Sequence, residues 1–166
     1  VNLLENTPGI AAQEALNNSI AHLEHKFSQA IESMALIRKP KLGFLRGHGE
    51  LGNLATADLT TALSSFYDLE IVYADSVLAI EKEFKALIIA KPTRSFSEQD
   101  KFKIDQYLMN GGKILWLVEA LQAELDTVVA KRSLLTVDYP LNLEDQLFRY
   151  GVRVNPGLIL DLQCNP

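Results

Sequence analysis

Between Phe44 and Gly52 the sequence reads FLRGHGELG, which sets an arginine, a histidine and a glutamate among three glycines just after an apolar stretch. Histidine and glutamate are the usual acid and base partners. Glycine lets the backbone adopt positive φ and come close to a ligand. Acyl-transfer chemistry would also need a nucleophile on a strained turn, with a histidine and a carboxylate in reach. There is no G-x-S-x-G, Cys164 sits near the terminus, and the histidines are His22, His25 and His48, so no complete triad can be written. A catalytic zinc usually takes three protein ligands. His22 and His25 share a helix face that Glu24 does not join, so no metal set forms either. The glycine spacing fits neither the P-loop nor the dinucleotide fingerprint. No cofactor is expected.

The elements that must hold this loop follow from apolar periodicity. From Ala11 to Ile37, the residues Leu16, Ile20, Leu23, Phe27, Ala30 and Met34 are four, three, four, three and four apart, the stripe of one long helix. The spacing suits packing on the same chain or an adjoining domain, and equally a short coiled-coil seam. Pro40 ends the helix. Leu42 to Leu45, Leu69 to Tyr73, Ala86 to Ala90 and Lys113 to Val118 read as strands. Helices are expected over Ala55 to Phe66, Ser97 to Met109 and Asn142 to Tyr150. Ser97 with Asp100 three residues on is a capping-box variant, and Asn110-Gly111-Gly112 closes that helix with a left-handed glycine. Glu119 to Tyr139 has no clear pattern, and the apolar runs at 152–154 and 158–160 follow Gly151. Alternating strands and helices give a doubly wound α/β domain with a mostly parallel sheet.

The 166 residues are enough for one core. Hydrophobic residues at 48% and charged residues at 22% are ordinary for a globular domain, which excludes disorder as the main state. With 16 Lys+Arg against 21 Asp+Glu the net charge is −5, so the electrostatic footprint of a nucleic-acid binder is missing. Runs such as 86–90 and 114–118 fall short of the roughly 20 apolar residues of a spanning helix. The chain reads as a piece of a longer protein: 1–40 is the tail of a preceding unit plus a connector helix, and 41–166 is the α/β domain.

Open α/β sheets bind ligands outside the carboxyl ends of their strands, near the reversal of strand order. Three loops meet that criterion: Arg46, His48 and Glu50 after the first strand, Lys91 and Thr93 after the third, and Glu119 after the fourth. They form a glycine-shaped turn with solvated charges, a cleft for a ligand or partner, or a catalytic edge. The expectation is that His48 and Glu50 are offered for contact, so that replacing both leaves folding nearly intact. Tyr139 beside Pro140 is a further surface candidate, while Trp116 reads as core.

The segments KLGFLRGHGEL, ALIIAKP, FSEQDKFKIDQYLMNGGKILWLVEA and YPLNLEDQLFRYGVRVNPGLILDLQCNP resemble the gliding-motility protein GldG family, over about Leu42 to Pro166. That family is an auxiliary, substrate-binding-like component of ABC transporters. The resemblance implies a flavodoxin-like domain similar to class I glutamine amidotransferases. It also implies the periplasmic face of the inner membrane, anchoring through other segments, and partnership with ABC permease and ATPase subunits. The expected role is non-enzymatic, through protein contacts and a small ligand. The alternative is a divergent hydrolase or amidotransferase relative with unusual catalytic residues.

Overall fold

The structure, a computed structural model, describes residues 11–122 and 136–157. Strand β1 (Lys41–Arg46) carries buried residues from Leu42 through Leu45, the pattern of a central strand covered on both faces. Helix α3 (Ala57–Ser64) leads to β2 (Asp68–Tyr73), which pairs with β1 in parallel. The chain then returns across β1 to β3 (Phe84–Ala90) and continues through α4 (Glu98–Met109) to β4 (Ile114–Leu117). All pairings in this four-stranded sheet are parallel, in the order β2-β1-β3-β4, which is flavodoxin-like. The direction of winding reverses between β1 and β3.

Alternation along the strands builds two cores. Leu45, Val72, Leu87 and Ile89 face Ile104 and Tyr107 of α4 and Leu143 and Leu147. Leu42, Phe44, Ile88 and Ala90 face Leu63 and Tyr67. Trp116 packs against the first core, edge-on to Phe96 at 6.2 Å. The short helix α5 (Glu144–Arg149) supplies Leu147, and the stretch expected to be unpatterned contributes the antiparallel pair β5 (Leu121–Gln122) and β6 (Val137–Asp138).

The ends of α4 carry their expected chemistry. The Asp100 N–H donates to Ser97 Oγ at 3.1 Å, and the Ser97 hydroxyl donates back to Asp100 Oδ2 at 2.7 Å. Gly111 takes φ +89°, and the Gly112 N–H donates to the Tyr107 carbonyl at 3.0 Å. Gly112 has a second requirement: a Cβ there would overlap the ring of Tyr107, whose hydroxyl donates to the Phe84 carbonyl at 2.9 Å.

One expectation is corrected. The single N-terminal helix is instead α1 (Ala12–Ala21) and α2 (Leu23–Ala35), separated at His22, whose ψ of 0° leaves the helical range. Its stripe is also largely uncovered, with Leu16, Ile20, Phe27 and Met34 exposed. Periodicity specifies an apolar face and is silent on what covers it. Residues 158–160 and Cys164 lie outside the described residues.

Candidate functional site

At the reversal point, the loops after β1 and β3 are sewn together through their backbones. The carbonyl of His48 accepts from the N–H groups of Thr93 at 2.9 Å and Arg94 at 2.8 Å, and the Leu51 N–H donates to the Ala90 carbonyl at 3.0 Å. The Thr93 hydroxyl donates to the Gly49 carbonyl at 3.0 Å. Gly47 and Gly49 take φ of +126° and +75°, which turns the chain sharply enough for these bonds. At Gly49 a side chain would also collide with Thr93.

This turn drives His48 inward, to 5% exposure. Its ring stacks on Phe96 with centroids 3.7 Å apart and planes 11° from parallel. Nδ1 lies 3.2 Å from Glu50 Oε1, and Nε2 lies 3.3 Å from Asp100 Oδ2. Glu50, whose side chain is 1% exposed, also accepts the His48 backbone N–H at 2.8 Å. The same Asp100 oxygen also accepts from the Ser97 hydroxyl, its other oxygen, Oδ1, accepts from Lys103 Nζ at 3.2 Å, and Lys103 in turn donates to the Ala74 carbonyl at 2.7 Å.

With an acceptor at each ring nitrogen, the imidazole is satisfied only as the cation that donates twice. Burial opposes that charge, but the hydrogen bonds to Glu50 and Asp100 and their attraction outweigh it, so the His48 pKa is raised. Burial likewise works against the Glu50 carboxylate and is overcome by His48, which holds its pKa low. The Asp100 pKa is lowered despite burial, by Ser97, Lys103 and His48. Two cations and two anions thus form a closed network beneath the loop. Removing one member of such a network is far more costly than never having built it.

The remaining candidates form the outer rim. Arg46 ends β1 half-buried, with Nη2 3.4 Å from Asn53 Oδ1. Lys91 takes a left-handed φ of +51°, uncommon for a residue with a side chain. Its N–H donates to the Leu117 carbonyl at 2.7 Å, and its Nζ pairs with Glu119 Oε2 at 2.9 Å. The structure therefore gathers Arg46, Lys91, Thr93 and Glu119 along the carboxyl edge of the sheet and turns His48 and Glu50 beneath it. That corrects the expectation of two offered side chains: the backbone bonds from Thr93 and Arg94 fix the loop so that the imidazole points into the molecule.

Sequence reasoning misses Phe96, Asp100 and Lys103, which complete the network. The signal available for Asp100 was its place at the third residue of a capped helix that follows the strand across the reversal point. Beside the rim, beyond β4, lies a hollow of about 260 Å³ lined by Val118, Ala120, Leu143, Leu147 and neighbours. Tyr139 lines it, while Tyr150 is tied by its hydroxyl to Asp105 at 2.8 Å.

Residues 39–166, well over half of the chain, match the family described as ABC-type uncharacterized transport system. The chain belongs to this transport family. No curated protein and no solved structure matches it. Membership makes it an ABC-type transport auxiliary protein and implies transporter partners. Among the described residues no helix is long and apolar enough to cross a membrane.

Proposed function

We propose that this chain is a non-enzymatic, extracytoplasmic, substrate-binding-like module of an ABC-type assembly associated with gliding motility. It faces the periplasm at the inner membrane and works by contact with the permease of an assembly that also contains ATPase subunits. The observation that most supports a contact role is the state of His48. Both ring nitrogens are engaged by carboxylates and one ring face is covered by Phe96, which leaves no nitrogen to take a proton from a nucleophile. An edge that merely presents groups needs rigidity, and the buried network supplies it. Arg46, Lys91, Thr93 and Glu119 are the side chains that touch the partner or a small ligand, while His48 and Glu50 fix the loop that carries them.

The motility assignment rests on the resemblance of the four quoted segments to the gliding-motility family. The alternative of a divergent hydrolase or amidotransferase lacks a nucleophile among these rim residues apart from Thr93, whose hydroxyl is donated to Gly49. Two measurements separate the readings. Affinity purification of the membrane-embedded protein should recover a permease or ATPase subunit of the ABC type. Purified protein should leave glutamine and a panel of esters unchanged, and turnover abolished by Thr93→Ala would establish the enzymatic reading instead.

A further inference from the structure

The hollow beyond β4 is larger than it first appears. Its walls are Val118 and Ala120 after the strand, Leu143 and Leu147 at α5, and Val154 and Pro156. A second hollow of about 330 Å³ shares Val118, Ala120 and Val154 with it and runs on to Leu121 and Glu119. Together they make a trough from α5 to the Lys91–Glu119 pair at the carboxyl edge of the sheet. The first hollow alone, at about 260 Å³, is just under the size of usual small-molecule pockets.

The electrostatics of the trough are one-sided. Asp138 and Glu144 stand in its lining, both on exposed residues and neither with an ion-pair partner among the described residues. Glu119, at the far end, is already paired with Lys91, so the open anionic charge is that of Asp138 and Glu144. Among the described residues no lysine or arginine lines either hollow. An apolar floor with an anionic rim repels a lipid phosphate, a fatty acid or an acidic peptide. It complements an apolar group carried next to a positive charge. Two hollows joined through Val118, Ala120 and Val154 suit a chain in extended conformation, whose side chains alternate between floor and rim.

We propose that this trough receives an extended segment of a partner protein in which apolar side chains alternate with lysine or arginine. Leucine-like side chains enter between Val118 and Leu147, and the flanking cations pair with Asp138 and Glu144. The proposal rests on the reading of this chain as a contact module and names the chemistry of the partner segment.

The test uses the 166-residue chain, a blocked peptide of alternating leucine and lysine, and its counterpart with glutamate in place of lysine. Titration is followed by heat release and by methyl resonances of Val118, Leu143 and Leu147. The lysine peptide should bind and shift those methyls. Its affinity should fall about tenfold in the double variant Asp138→Asn with Glu144→Gln, as expected for the loss of exposed ion pairs. The glutamate peptide should bind at least as weakly as the lysine peptide does to that variant. Ala120→Trp, which fills the floor, should abolish binding while the circular dichroism spectrum stays the same.

Equal binding of the two peptides overturns the proposal, as does undiminished binding to the double variant or the absence of methyl shifts at millimolar peptide. Hexylamine alone matching the lysine peptide in affinity would make the trough a small-amine site and overturn it too. These outcomes are separable from the functional reading. Lysine peptide that still binds the Ala120→Trp protein would refute the trough alone. Wild-type protein that binds the peptide but recovers no transporter subunit would refute the assembly.

Discussion

Replacing His48 by alanine removes the one cation that Glu50 faces among the described residues and strips the stacked ring from Phe96. Breaking a buried ion pair by deleting one partner costs about 3–5 kcal/mol, and an aromatic pair adds about 0.5–1.5 kcal/mol. Asp100 retains Ser97 and Lys103, and Glu50 retains the backbone N–H of residue 48, so the lower end applies, about 3 kcal/mol. Against a total stability of about 5–15 kcal/mol that is a large share. For a domain of this size it lowers the melting temperature by about 6–12 °C. Thermal unfolding by circular dichroism, with urea titration as a check, reads the effect directly. His48→Gln, which keeps a donor and the bulk, should lose less than His48→Ala. A His48→Ala protein within about 0.5 kcal/mol of wild type would refute the buried network, because that is the behaviour of a surface residue.

The same network sets a pH window. A raised His48 pKa means its contribution is complete below the ordinary histidine value of 6.5 and is lost as pH rises through the folded value. The depressed Glu50 and Asp100 pKa values mean their contribution is present above the ordinary 4.5 and 3.8 and is lost as pH falls through the folded values. Urea midpoints across pH should therefore peak between these limits, and His48→Gln should flatten the alkaline side. Gly112→Ala forces Tyr107 off its packing and should cost more than about 1 kcal/mol, since overpacking costs about 1–3 kcal/mol; an unchanged urea midpoint would show that the ring yields freely. Ser97→Ala removes both the helix cap and a hydrogen bond to Asp100, and should lower stability by about 1–2 kcal/mol in the same assay.

Local chemistry was legible in the sequence wherever it was self-contained. The Ser97 cap, the left-handed Gly111 and the four strands follow from residues within a turn or two of one another, and their alternation dictates the parallel sheet. The sense of the loop at Phe44 to Gly52 was not legible, because it is decided by partners far along the chain. Asp100 is 52 residues from His48, and only the β1–β3 pairing brings the cap of α4 beneath the glycine turn. A histidine and a glutamate among glycines look alike whether they point outward or inward until the acceptor of the second ring nitrogen is known. The helix break at His22 had no proline or glycine to announce it. The trough was invisible for a related reason: its floor combines residues after β4 with residues around α5, and neither stretch has a recognisable motif.

The carboxyl edge of the sheet as a contact surface for transporter subunits is tested most directly by photo-crosslinking in cells that make the native assembly. A photoreactive residue is placed at Arg46 or Thr93 on that edge, and at Lys82, just before β3, on the opposite edge as a control. The contact reading predicts crosslinks to an ABC permease subunit from Arg46 and Thr93 and none from Lys82. Crosslinks from Lys82 alone, or from none of the three, would contradict it.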